Sequence, residues 1–120
     1  MSESTDLPFD LTAIEKLRKV AGDQAPGFVA EMATLFLEEA AKQVAELRRA
    51  HDVKDWKIVS RTAHSLKSSA ATLGLMQLSS TCRELEMRAK GGEPAADTEA
   101  LVARAAAQYA ASVPVLKSLA

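Results

Sequence analysis

The most informative segment of the chain is residues 55–74, which read DWKIVSRTAHSLKSSAATLG. Its apolar side chains recur at alternating intervals of three and four residues, the spacing of a helix with one buried face. Asp55 is suited to cap the first turn of such a helix, and Gly74 is suited to end it. We therefore predict a helix over about residues 55–73, with its apolar face formed by Trp56, Val59, Ala63, Leu66, Ala70 and Leu73.

Four other segments show the same helical periodicity and are separated by short turns. The expected helices cover about residues 10–21, 25–51, 75–90 and 97–119. The expected breaks between them are Gly22, Asp52-Val53-Lys54, Gly74 and Gly91-Gly92-Glu93-Pro94.

Local signals also predict how these helices begin and end. Asp10 or Thr12 is the expected N-cap of the first helix, and Asp97 or Thr98 that of the last. Pro26 fits the first turn of the second helix, and Pro114 is expected to kink or end the last one. The residues expected to face the core are Leu11, Ile14, Leu17 and Val20 on the first helix; Phe28, Met32, Leu35, Phe36, Ala40, Val44 and Leu47 on the second; Leu75, Leu78, Cys82, Leu85 and Ala89 on the fourth; and Leu101, Ala105, Tyr109, Val113 and Leu116 on the last.

The composition favours an all-α fold. The chain has 120 residues, which suits one domain with one core. Alanine is the best helix former and occurs 23 times, while glycine and proline together occur only nine times. Long amphipathic helices joined by short turns bury their apolar faces best in an antiparallel up-down four-helix bundle. We predict such a bundle over residues 10–120, with the short first helix as an extra element and residues 1–9 as a flexible N-terminal tail.

Charge and cysteine content argue against several classes of protein. The net charge of −1 provides no global field to attract nucleic acid or an anionic membrane. No apolar run approaches the ~18 residues of a membrane span, and the polar N-terminus does not resemble a signal peptide. Cys82 is the only cysteine, so no internal disulfide can form. We expect a cytoplasmic, monomeric protein, and the Met1 start favours a free-standing one.

His64 lies beside the apolar face of the predicted helix rather than within it. On a helical wheel of ~100° per residue, it is roughly 100–120° from the centre of that face. Ser60, Arg61, Ser68 and Ala71 share its side of the helix, and the small side chains among them leave space for a partner to approach. An exposed histidine on this face is more often a solvated side chain than a functional one.

The chemistry of this face nevertheless favours phosphoryl transfer. A neutral imidazole is a good nucleophile, and the cations Lys67 and Arg61 can stabilise negative charge that arrives at the ring. Phosphoryl transfer depends mainly on positioning and charge neutralisation. Acid–base catalysis, in contrast, usually takes place in a cleft with an orienting partner.

The motif around His64 resembles the signature of histidine-containing phosphotransfer (HPt) domains. His64-Ser65-Leu66-Lys67-Ser68, with Gly74 ten residues after the histidine, matches the pattern His-x-Leu-Lys-Gly followed by a glycine. Leu78, Cys82 and Leu85-Glu86 resemble the fourth helix of that family, and residues 31–47 its second. The similarity extends over about residues 9–119. One departure is that Ser68 replaces the usual glycine.

The resemblance implies roles for individual residues. His64 would accept the phosphoryl group at its outer ring nitrogen, and Lys67 would steady the phosphoryl oxygens from the helix exterior. Glu86 would accept the other N–H of the imidazole and so orient the ring. Ser60, Arg61, Ser68 and Ala71 would contact the partner.

The resemblance also implies the partners and the source of any metal ion. The partners would be receiver domains of response regulators, with a hybrid histidine kinase as a further candidate. Magnesium would come from the receiver, so the chain itself would need no cofactor and no metal. It would be a carrier without an ATP site rather than an enzyme.

Two other functions remain open on the sequence alone. The chain could be the histidine-bearing fragment of a hybrid sensor kinase, although Ser65 stands where that class usually has an acidic residue. It could also be a helical-bundle adaptor in which His64 is incidental. A metal site formed by His51, His64 and Cys82 is disfavoured because their spacing fits no zinc pattern. Cys82 is expected in the core, and His51 at the end of its helix, where a cation complements the helix dipole.

Overall fold

The computed structural model describes residues 11–91 and 96–119, and within these ranges the chain is helical with no strand. The helices are α1 (Leu11–Ala21), α2 (Ala25–Asp52), α3 (Trp56–Thr72), α4 (Met76–Gly91) and α5 (Ala96–Leu119), with a short 3-10 turn at Gly22–Gln24 between α1 and α2. The all-α prediction is confirmed. The predicted tail at 1–9, the Asp10 cap and the break at residues 92–94 lie outside the described residues.

Helices α2 to α5 form the bundle. Helix α3 packs between α2 and α4, and α5 packs against the same two helices from the opposite side. Within the described residues, helix α1 packs mainly on α2, as an extra element outside the four-helix arrangement. In this arrangement α3 has one face toward the core and another toward solvent, and His64 lies on the latter.

The turn between α2 and α3 is closed by main-chain hydrogen bonds. The Asp55 N–H donates to the Ala50 carbonyl at 2.9 Å and the Lys54 N–H donates to the His51 carbonyl at 3.0 Å. This pair of bonds is a Schellman motif, in which Lys54 adopts a positive φ of 60°. The Asp55 carboxylate then accepts from the Ile58 N–H at 3.2 Å, as predicted for the N-cap of α3.

The turn between α3 and α4 has the same design and depends on Gly74. This residue has a φ of 83°, a conformation that glycine adopts without steric cost. The Gly74 N–H donates to the Ala71 carbonyl at 3.0 Å and the Leu75 N–H donates to the Ala70 carbonyl at 2.8 Å. The tight hairpin therefore fixes which residues of α4 lie opposite His64.

The core combines large aliphatic side chains with fully buried alanines. Small residues at the contacts allow the helices to approach closely, and leucines from α3, α4 and α5 fill the space between them. Cys82 is among the buried residues, as expected. The core comprises Ile14, Val29, Ala33, Phe36, Ala40, Leu47, Ala50, Val59, Ala63, Leu66, Ala70, Leu73, Leu75, Leu78, Cys82, Leu85, Ala89, Leu101, Val102, Ala105 and Leu116.

Two residues assigned to the core by periodicity are exposed. Val20 is exposed because it lies at the end of α1, which packs mainly on α2. Leu35 is exposed because the buried face of α2 is centred on Val29, Ala33 and Phe36, so Leu35 falls at its edge.

The predictions for α5 also need correction. The helix begins at Ala96, so Asp97 and Thr98 lie within its first turn rather than at the N-cap. It continues through Pro114 to Leu119, so Pro114 does not end it.

No helix in the described part of the chain is long and apolar enough to cross a lipid bilayer.

Candidate functional site

His64 projects from the solvent-facing side of α3, and 60% of its side chain is exposed. Its Nδ1 atom lies 3.0 Å from Oε2 of Glu86 on α4. An ionised carboxylate can only accept hydrogen bonds, so Nδ1 is the donor and carries the proton. In the neutral imidazole, the Nε2 atom then has a free lone pair. The exposed ring is thus held from one side while its nucleophilic nitrogen is left available.

Glu86 is the centre of the site, because only 8% of its side chain is exposed and it accepts from three residues. Lys67 donates to Oε1 at 2.8 Å, while His64 and Lys90 lie 3.0 and 3.1 Å from Oε2. The hydrogen bond from Lys67, helped by Lys90 and His64, lowers the pKa of the Glu86 carboxyl to about 2 despite its burial. The carboxylate is therefore ionised at neutral pH. This is the state in which it can only accept a hydrogen bond, so the proton of the contact lies on Nδ1 of His64.

A second contact between α3 and α4 supports this geometry. The Ser79 hydroxyl donates to the Lys67 carbonyl at 3.1 Å. Because Ser79 and Glu86 lie two turns apart on α4, the two contacts fix both the rotation and the register of α4 against α3. The position of Glu86 opposite His64 therefore follows from helix packing.

Lys67 differs from the sequence prediction in its exposure. It was expected on the helix exterior, but only 28% of its side chain is exposed and its ammonium group is paired with a buried carboxylate. Helical periodicity alone placed Lys67 beyond the edge of the buried face, and it could not show that α4 covers this part of α3. Lys67 therefore joins the two helices as well as lying beside His64.

Sequence reasoning missed Lys90. It lies four residues after Glu86 on α4, a spacing that brings side chains together on a helix. That spacing was a usable signal, but it carries weight only once Glu86 is known to be buried beside the imidazole.

The four predicted partner contacts lie on the same side of α3 as His64. Arg61 and Ser68 are exposed, and Ser60 and Ala71 are half-buried. Glu86 is buried beneath His64, which is compatible with the predicted orientation of the ring and not with a contact to a docked partner. The docking roles of the other four stay predictions.

An apolar groove lies between α2 and α3. Its volume is about 220 Å³, and its floor and walls include Met32, Leu35 and Phe36 of α2. Ser69 and Thr72 form part of the α3 side, one to two turns after His64. The exposed Leu35 side chain is part of this groove, which sequence reasoning missed because it placed Leu35 in the core.

Neither Cys82 nor His51 is among the described side-chain partners of the Glu86 carboxylate. Burial raises the pKa of the Cys82 thiol to about 12, so this residue remains a protonated core thiol. The His51 ring packs edge-on against Trp56 with 5.4 Å between ring centroids, and its Nε2 lies 2.9 Å from the Thr98 hydroxyl. His51 lies in the last turn of α2, as predicted, and its ring also forms a contact between α2 and α5.

Potential metal-ligating atoms of His51, Asp52 and Glu99 lie within 4.8 Å of one another. Arg48 occupies this cluster as a cation, because its guanidinium contacts Glu99 at 2.8 Å and Asp52 at 3.7 Å. The two carboxylates therefore already have a positive counter-charge.

The ionised state of Glu86 predicts a pH dependence of stability. The folded-state pKa of about 2 lies below the ordinary value of 4.5, so the stabilisation is complete above pH 4.5 and is lost as the pH falls toward 2. We expect the thermal midpoint of wild type to fall more steeply over this range than that of Glu86→Gln, as measured by circular dichroism. If the thermal midpoint depended on pH in the same way in both proteins, Glu86 would not have this ionic role.

Comparisons with known proteins indicate the family to which the chain belongs. The family model described as Hpt domain matches residues 31–113. Histidine-containing phosphotransfer protein 2 of Arabidopsis thaliana is 31% identical over 70 residues, covering 56% of this chain and 45% of that protein. Multistep phosphorelay regulator 1 of Schizosaccharomyces pombe is 29% identical over 77 residues, covering 64% of this chain and 26% of that protein. The matched regions thus span less than half the length of these curated relatives.

A solved structure supports the same fold. The crystal structure of histidine-containing phosphotransfer protein B from Pseudomonas aeruginosa PAO1 superposes with a TM-score of 0.82 and 24% identity, covering 92% of each chain. The family model includes α3, α4 and the whole Glu86 site, and it matches well over half of the chain. The chain therefore belongs to the Hpt domain family.

Proposed function

We propose that this chain is a phosphorelay carrier. Nε2 of His64 accepts a phosphoryl group from an aspartyl-phosphate on one receiver domain and passes it to an aspartate on another. The observation that carries the proposal is the contact between Nδ1 of His64 and the buried Glu86 carboxylate. With the proton on Nδ1, Nε2 is the ring nitrogen that carries the lone pair in the neutral imidazole, and 60% of the side chain is exposed. The names of the relatives, which refer to histidine-containing phosphotransfer and phosphorelay, support the same class of reaction.

The transfer step balances in atoms and charge. The Nε2 lone pair attacks phosphorus in line with the aspartyl oxygen, a new N–P bond forms, and the P–O bond to the aspartate breaks. The electron pair of that bond remains on the aspartate as a carboxylate. The Nδ1 proton stays on the ring, where Glu86 balances the positive charge that the imidazole gains.

Most of the remaining chemistry belongs to the partner in this proposal. The receiver's acidic pocket supplies magnesium, so this chain needs no cofactor of its own and acts as a carrier without an ATP site. Lys67 can supply a cation beside the arriving phosphoryl group, because its ammonium contacts the carboxylate that holds the ring. We further propose that the carrier works as a cytoplasmic monomer, receiving the phosphoryl group directly or indirectly from a hybrid histidine kinase.

The receiver is proposed to dock over the exposed face of α3. Ser60, Ser68 and Ala71 are small and surround His64 on its own helix, so a convex partner surface can reach the imidazole. Arg61 adds positive charge beside it, which complements the acidic pocket of a receiver.

Phosphoryl labelling tests the acceptor directly. We expect a phosphorylated receiver to transfer acid-labile, base-stable phosphate to wild type and none to His64→Gln, because the glutamine amide cannot form the N–P bond that the imidazole forms. His51→Gln is the matched control, since His51 is the other histidine of the chain, and it should be labelled like wild type. Equal labelling of His64→Gln and wild type would contradict His64 as the acceptor.

Ser68→Arg tests the docking surface. Ser68 is exposed, so the variant should fold normally, while the bulky side chain one turn from His64 should slow transfer by at least about tenfold, which is ~1.4 kcal/mol. Ala107→Arg adds the same side chain to α5, on the opposite side of the bundle, and should transfer normally. Wild-type rates in Ser68→Arg, measured by stopped-flow mixing with the receiver, would contradict docking on this face.

A further inference from the structure

Two lysines pair with the single carboxylate of Glu86, although one would neutralise it. Lys67 reaches it from α3 and contacts Oε1, while Lys90 reaches it from α4 and shares Oε2 with His64. The two ammonium groups differ in burial, since 28% of the Lys67 side chain is exposed compared with 66% of Lys90. Their different origins suggest different tasks during phosphoryl transfer.

Lys67 can serve either Glu86 or a phosphoryl group. It is three residues after His64, so both side chains lie on the same face of α3. A phosphoryl group on Nε2 carries about two negative charges and strong acceptor oxygens, which compete with the carboxylate for the Lys67 ammonium. If Lys67 turns toward the phosphoryl group, Oε1 of the buried Glu86 loses its donor.

Lys90 does not face the same competition. It lies four residues after Glu86 on α4, so the pair forms within one helix and does not depend on Lys67. Lys90 is also in the last turn of α4, where the helix dipole favours a cation. Its ammonium therefore stays with Glu86 when Lys67 is withdrawn.

We infer that Lys90 is a positioning residue that acts through Glu86. It keeps the buried carboxylate neutralised and fixed against Nδ1 of His64, and this frees Lys67 for the phosphoryl group. If Lys90 were absent and Lys67 turned to the phosphoryl group, the Glu86 carboxylate would keep only His64 as a partner. Its negative charge would then face the negative phosphoryl group across the imidazole ring. Like charges at that separation disfavour the phosphorylated state. The inference rests on the proposed phosphoryl transfer and adds a residue to it.

A double-mutant cycle of Lys90→Gln and Glu86→Gln tests this inference. We expect Lys90→Gln alone to slow transfer from a phosphorylated receiver to His64 by about fivefold. An effect of this size lies within the range of interaction energies found between residues of one hydrogen-bond or salt-bridge network. In the Glu86→Gln background the same substitution should have almost no effect, because a neutral amide needs no counter-charge. Lys90→Arg should restore transfer, since it keeps the cation.

Lys57→Gln is the matched control for charge. Lys57 is exposed on α3, two turns before His64, and its substitution lowers the positive charge of the same face without removing a described contact to Glu86. We expect less than a twofold effect. A loss as large as that of Lys90→Gln would assign the effect to general electrostatic attraction and overturn the inference.

The ring nitrogens of His64 provide a readout that does not need a receiver. Nitrogen-15 shifts of the unphosphorylated protein report which ring nitrogen carries the proton. Wild type should show Nδ1 protonated and Nε2 free, and Lys90→Gln should move the two shifts toward each other. This result would support the positioning role even if no receiver labelled the protein. Unchanged shifts and rates in Lys90→Gln, or an equal penalty in both Glu86 backgrounds, would overturn it.

Discussion

The buried Glu86 carboxylate is the interaction on which the rest of the site depends. A carboxylate that is 8% exposed is costly unless it is paired, and here donors from α3 and α4 pair with it. The same contacts hold α3 against α4 and hold the imidazole of His64 in one orientation. Structural stability and the geometry of the candidate acceptor therefore rest on one group, and a change at Glu86 is expected to affect both.

The α3–α4 hairpin makes this interaction possible. The Schellman turn at Gly74 joins the two helices closely, and the Ser79 contact to the Lys67 carbonyl sets their register. Leu66 and Leu85 bury the apolar sides of the two helices in the core. Hydrophobic packing thus brings the helices together, and the polar contacts at the solvent edge select one rotation. His64 can remain largely exposed because its partner beneath it is fixed.

Sequence reasoning succeeded where the signal was local. The cap at Asp55, the helix end at Gly74 and the exposed face carrying His64 all follow from spacing and residue type. Contacts between helices were harder, because they depend on register. The local pair of Lys90 with Glu86 was missed because it matters only once α4 packs on α3 and buries Glu86 beside the imidazole. Leu35 was misplaced because a periodic pattern shows that a face is apolar but not how wide its buried part is.

The central claim is that Glu86 holds the Nδ1 proton of His64 and leaves Nε2 as the phosphoryl acceptor. The most direct measurement is phosphorus–nitrogen coupling in the NMR spectrum of the nitrogen-15-labelled chain after phosphorylation by a receiver. The account predicts that phosphorus couples to Nε2 of His64, with the proton retained on Nδ1 beside Glu86. Coupling to Nδ1, or phosphate on a residue other than His64, would contradict it.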